Sequence, residues 1–186
     1  MTEVNLGGKR GFHGRGNKMA RVAWHCVWLM LFRPSLKPMH AWRRFLLCLF
    51  GAEIGANTRI SSSAKFWAPW NLIMGKNSAI GDYVDCYCVA QIRIGANSTI
   101  SQYSYLCAAT HDHTNPLFPL LPKAISIGDS AWVAADVFVA PGVIIGEGVV
   151  VGARSSVFKD LPEWMICMGA PAIPVKSRIL TSSSNL

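Results

Sequence analysis

At 186 residues, 51 % of them hydrophobic, the chain has the length of one domain and enough apolar content to bury a core. Its six cysteines fall at 26, 48, 86, 88, 107 and 167 with no CxxC spacing and no secretory signal ahead of them, which predicts reduced thiols in a cytoplasmic protein. The net charge of +8 is concentrated in the stretch from Val4 to Ala52, which holds nine Lys or Arg and no Asp or Glu; because the aromatics there sit inside apolar runs and not among the cations, nucleic acid is not the expected partner.

Residues 1–20 are Gly-rich, basic and polar, lack the continuous apolar core of a signal peptide, and are expected to be disordered. Residues 21–52 are expected to form a short amphipathic helical segment. Its apolar runs, Val22 to Phe32 and Phe45 to Phe50, are too short for a bilayer span, which needs about 20 residues. Flanked by Arg21, Arg33, Arg43 and Arg44 and broken at Pro34 and Pro38, they suit two roles equally. One is as interfacial helices on an anionic membrane surface, giving peripheral contact with the inner face of the cytoplasmic membrane; the other is as a cap on the core of the domain that follows.

Residues 53–175 carry a repeat. Ile54, Ile60, Met74, Ile80, Ile94 and Ile100 are each followed by a small or turn-forming residue, and the pattern returns as Ile127, Val133, Val139, Ile145, Val151 and Val157. Four residues past each comes a second position that is usually small, among them Thr58, Ser78, Ser98 and Ala131. A period of six with two inward positions fits neither a helix nor a flat strand. A six-residue unit can be one short strand and a corner, and three such units close a triangular coil. Ile54, Met74 and Ile94 are spaced by 20, three hexapeptides plus two corner residues, so the expected fold is an all-β solenoid of stacked three-sided coils.

The repeat breaks once. Residues 112–124, rich in Pro, leave the solenoid directly after His111, the last position in register, and the pattern resumes at Ile125. Excursions at a solenoid corner usually carry function. Residues 176–186 read as a C-terminal tail.

With these stretches in view, "HAWRRFLLCLFGAEIG", "APWNL", "ISQYSYLCAATHDH", "FPLLPKAISIGDSAWVAADVFVAPGVIIGEGVVVGARSSV" and "GAPA" resemble the hexapeptide-repeat acyltransferases, and among them the colanic acid biosynthesis acetyltransferase-like branch. The resemblance implies a left-handed parallel β-helix, a homotrimer with active sites between subunits, acetyl-CoA as co-substrate, and a sugar or lipid-linked saccharide as acceptor in exopolysaccharide synthesis. It implies no metal. His111 matches the family's catalytic histidine, the general base for an acceptor hydroxyl. Asp112 or a backbone carbonyl is expected to fix its tautomer. By the same resemblance Trp132, Ala134 and Ala153 line the coenzyme groove, and Lys159 and Lys176 meet its phosphates. Each has a plainer reading: Trp132 as a core aromatic, the lysines as solvated surface. Cys88 falls where many sugar acetyltransferases carry an acceptor-contacting Asn, and His113 is a loop residue that could touch the acceptor, so both are expected near substrate. Two other readings share the repeat: a non-catalytic, membrane-tethered trimeric scaffold, and a γ-type carbonic anhydrase, for which this chain offers only His111 and His113 in the repeat region.

Overall fold

The computed structural model describes residues 14–181, and the side chain of Arg15 lies outside that description. Five full coils stack along one axis. Coil 1 contains β1 (Glu53–Ile54), β2 (Arg59–Ile60) and β3 (Lys65–Phe66); coil 2, β4 (Leu72–Met74), β5 (Ala79–Ile80) and β6 (Asp85–Tyr87); coil 3, β7 (Ile92–Ile94), β8 (Thr99–Ile100) and β9 (Tyr105–Cys107). A hairpin of β10 (Ala109–His111) and β11 (Leu120–Pro122) follows. Coil 4 is β12 (Ile125–Ile127), β13 (Trp132–Val133) and β14 (Phe138–Val139); coil 5 is β15 (Ile144–Ile145), β16 (Val150–Val151) and β17 (Ser156–Val157). The chain ends in an antiparallel pair, β18 (Met165–Gly169) with β19 (Ala172–Ser177).

The strands form three parallel sheets, one per wall: β1-β4-β7-β12-β15, then β2-β5-β8-β13-β16, then β3-β6-β9-β14-β17. Registers show why the period works. Ile54 pairs with Met74 and Met74 with Ile94, so each aliphatic lies on its equivalent one coil away. Across the excursion Ile92 pairs with Ile125, and the ladder continues as if nothing intervened. Ile60, Ile80, Ile100, Val133 and Val151 form one buried column. The small inward positions include buried serines whose hydroxyls are satisfied by backbone, as in Ser98 to the Gly128 carbonyl (2.8 Å) and Ser104 to the Ala134 carbonyl (2.9 Å). Corners take left-handed residues: Asn57, Asn77 and Asn97 stack at one, joined by side-chain amide bonds of 3.3 and 3.0 Å. At Gly75 a Cβ would stand 2.4 Å from the Ala96 nitrogen, so the coils can stack this closely only over glycine.

Coil 1 has no coil beneath it, and its exposed ladder groups need partners. Helices α1 (Arg15–Val27) and α2 (His40–Leu49) supply them. The Trp24 and Trp28 indole N–H groups donate to the Phe66 and Ala64 carbonyls at 2.8 and 2.9 Å. Arg43 Nε donates to the Ile60 carbonyl at 2.6 Å, and the Ile60 N–H donates to His40 Nδ1 at 3.2 Å. Phe32, Leu46 and Leu47 fill the space beneath. Of the two roles the sequence allowed this segment, capping is realised. Two boundaries differ from expectation. Helix α1 starts at Arg15, inside the stretch expected to be disordered, because Trp24 and Trp28 anchor it; residues 1–13 lie outside the described residues. Strand β19 runs to Ser177, past the expected tail boundary, because it pairs along β18.

Candidate active site

The excursion is an ordered hairpin, not a slack loop. His111 closes β10 opposite Leu120, with Thr110 opposite Leu121. The turn between them is built by short side chains: the Asp112 carboxylate accepts from the Thr114 hydroxyl (2.6 Å) and N–H (3.0 Å), and Asn115 Oδ1 accepts from the Leu117 N–H (3.0 Å). Phe118 then adopts the left-handed region, φ 45°, which a bulky residue reaches at a cost. That turn directs the Phe118 carbonyl onto His111 Nδ1 at 2.7 Å.

A carbonyl only accepts, so the proton in this bond belongs to Nδ1 and the neutral ring keeps its lone pair on Nε2. His111 is exposed, so Nε2 is open to a substrate. Of the two orienting groups expected, Asp112 or a backbone carbonyl, the backbone carbonyl of Phe118 is the one bonded to His111, and the Asp112 carboxylate turns away to Thr114. The Thr114 hydroxyl, and then the Thr114 N–H, hold the Asp112 carboxyl below the usual carboxylate range. His113 is exposed on the far side of Asp112, beyond the β10–β11 ladder.

Cys88 is also corrected. It is 0 % exposed, its thiol donates to the Ala68 carbonyl and accepts from the Ala68 N–H, both at 3.2 Å, and burial pushes its pKa up to about 11. A side chain sealed against the next coil cannot touch an acceptor.

On the second wall the residue after each aliphatic is small and forms a column of Ser61, Gly81, Ser101, Ala134 and Gly152. Trp132 stands beside it, 48 % exposed, its indole N–H donating to Ser101 Oγ at 3.0 Å; the core-aromatic reading of Trp132 is thereby excluded. Ala134 is buried in the column. Ala153 is exposed at the adjoining corner and lines a cavity of about 400 Å³ with Tyr103, Ala135, Asp136 and Arg154. A second cavity on this wall, about 590 Å³, includes Lys37, Arg59, Ser61, Gly81 and Ser101. Its basic rim was not singled out from the sequence, because Lys37 belongs to the cap and Arg59 to coil 1. Lys159 and Lys176 are exposed on different walls, and a single chain does not bring them together. Among the described residues no group of three or more His, Cys, Asp or Glu is placed to hold a metal ion.

Residues 124–159 match the family model described as bacterial transferase hexapeptide (six repeats). Over 172 residues the chain is 48 % identical to the Escherichia coli K12 protein named as colanic acid biosynthesis acetyltransferase WcaF, covering 92 % of this chain and 94 % of that one. Among solved structures it is similar to a maltose O-acetyltransferase from Clostridium difficile 630, with a TM-score of 0.82, 23 % identity and coverage of 90 % of each chain. It is likewise similar to a hexapeptide-repeat acetyltransferase of Vibrio cholerae complexed with acetyl-coenzyme A, with a TM-score of 0.81, 22 % identity and coverage of 94 % and 95 %. The two structural likenesses show the left-handed parallel β-helix that the resemblance implied.

Proposed function

Because this chain belongs to the hexapeptide-repeat acyltransferases, in the colanic acid biosynthesis acetyltransferase-like branch, and is an acetyltransferase, we propose that it moves acetyl from acetyl-CoA to a hydroxyl of an exopolysaccharide precursor. The observation that carries the reading is the 2.7 Å bond from His111 Nδ1 to the Phe118 carbonyl, which leaves Nε2 as an available base. Nε2 takes the proton of the acceptor hydroxyl as its oxygen attacks the thioester carbonyl. The tetrahedral intermediate then collapses, the carbon–sulfur bond breaks, and the imidazolium returns its proton to the departing thiolate. The saccharide acceptor is inferred from the sugar-modifying relatives, and the acyl donor from the coenzyme in the Vibrio cholerae structure. The small-residue column beside Trp132 suits a narrow coenzyme arm running against backbone, and Ala153 extends it at the corner.

The working unit is taken to be a homotrimer. The third wall supports this, because its outer side carries an aromatic ladder from Trp67 through Tyr87, Tyr105 and Phe138 to Phe158, with ring centroids 5.1 to 6.3 Å apart. A second copy would bury it. Six free thiols suit the cytoplasm.

The test has two arms. Purified protein with acetyl-CoA and saccharide acceptors should release free thiol and add one acetyl group to the acceptor by mass spectrometry. In the host, deletion of the gene should remove an acetyl group from the exopolysaccharide repeat unit. An unchanged repeat unit together with no transfer in vitro would sink the reading.

A further inference from the structure

The two capping helices are apolar on both sides. On α1 and the turn after it, Trp24, Trp28 and Phe32 face coil 1, while Met19, Val22, Leu29 and Met30, 52 to 73 % exposed, occupy the opposite stripe. On α2, Arg43, Leu46 and Leu47 are buried, while Ala41, Phe45, Cys48 and Leu49 are exposed. An exposed helix face should be polar, and neither of these is. Because both helices lie over the open end of coil 1, their bare stripes are the sides turned away from it.

We propose that the outward faces of α1 and α2 dock the protein onto an anionic phospholipid bilayer. Charge selects that occupant over others. From Val4 to Ala52 there is no carboxylate to repel a phosphate surface. The cations divide by position: Arg43 is consumed by the cap, Arg21 lies over the Trp67 ring at 4.4 Å, and Arg33 over Trp28 at 5.4 Å. Lys18, which lines a surface cavity with Val22, and Arg44, next to Phe45 on α2, are left beside the apolar stripes, while Lys37 faces the second-wall cavity. No helix among the described residues is long and apolar enough to cross a membrane, so contact is peripheral and reversible, with apolar insertion and charge acting together.

Docking deepens the acetyl-transfer reading, on which its purpose rests although the binding itself does not. Coils stack about 4.8 Å apart, and His111 leaves between coils 3 and 4. The imidazole therefore lies about 10–15 Å above coil 1 along the axis and, with a helix about 10 Å thick in between, about 20–25 Å from the bilayer surface, within reach of a saccharide carried on a lipid headgroup.

The full chain is sedimented with vesicles of phosphatidylglycerol and phosphatidylcholine, and with phosphatidylcholine alone. It should bind the anionic vesicles at low salt, release at high salt, and ignore the neutral ones. Met30→Glu with Leu49→Glu, both well exposed, should lower binding about tenfold or more while thermal unfolding stays unchanged. The proposal is overturned if the wild type ignores anionic vesicles at low salt, or if the double variant binds as well as the wild type. It is also overturned if the variant changes the oligomeric state without lipid, since the stripes would then belong to a second copy. Transfer to a free saccharide, read in the same samples, separates the two readings: vesicle binding without any transfer in the wild type overturns the function and leaves docking standing.

Discussion

Arg43→Met tests the cap. The substitution keeps an apolar stem and removes a guanidinium that is 1 % exposed and donates to the Ile60, Leu36 and Lys37 carbonyls and to Ser35 Oγ at 2.6 to 2.8 Å. These bonds are not equal. Leu36 and Lys37 are exposed, so water replaces their lost partner at little cost, whereas Ile60 is fully buried and its orphaned carbonyl costs about 1–3 kcal/mol. Loosening of the 35–37 segment adds about 1 kcal/mol. Relief of the guanidinium's burial, which lowers its pKa from the ordinary value, takes some of this back. The net loss should be about 1–3 kcal/mol, a fall in Tm of about 2–12 °C for a domain of this size. Urea and thermal unfolding at one fixed protein concentration would measure it. A loss under about 0.5 kcal/mol would mean that the coil 1 edge is not held by Arg43, and the account of α2 as a hydrogen-bonding cap would fail.

His111→Ala should lower acetyl transfer about 10²- to 10⁴-fold with unfolding unchanged, and Asp112→Ala should lower it far less, since that carboxylate only braces the turn; steady-state rates with a saccharide acceptor compare the two. Gly75→Ala should abolish soluble folded protein, because the new Cβ meets the Ala96 backbone nitrogen at 2.4 Å, and recovery from the soluble fraction reports it. Burial raises the Asp85 carboxyl pKa above its unfolded value, so the ionised form costs stability at neutral pH and that cost disappears as pH falls below the unfolded carboxyl pKa. Asp85→Asn should accordingly raise Tm at neutral pH by a margin that shrinks on acidification; a margin independent of pH would contradict this. Trp132→Ala should raise KM for acetyl-CoA more than it lowers kcat.

Most of the scaffold was readable because its core is the period itself: an aliphatic every six residues and a return every 20 leave little choice of register. The cap was not. Gly16 and Asn17 are poor helix formers, and α1 begins there only because Trp24 and Trp28 find carbonyls that lack a neighbouring coil, a fact of the stack and not of the segment. Within the site, His111 could be found from its place at the break, but its partner could not, since nothing marks Phe118 for a left-handed turn. Cys88 is a different case: strand alternation from the inward Cys86 turns Cys88 inward as well, and this local geometry outweighs its resemblance to an acceptor-contacting position.

The ladder between coils 3 and 4 joins Ile92 to Ile125 as directly as the one between coils 2 and 3 joins Leu72 to Ile92. The scaffold thus does not register the length or composition of what is spliced between them. Heritable change can accumulate in the hairpin around His111, altering which acceptor is served, without being screened by the stability of the prism. Conversely, coils could be duplicated or deleted below it without retraining the chemistry. Selection acts on two nearly separate texts written in one chain, and the corner after β9 is where they are bound together.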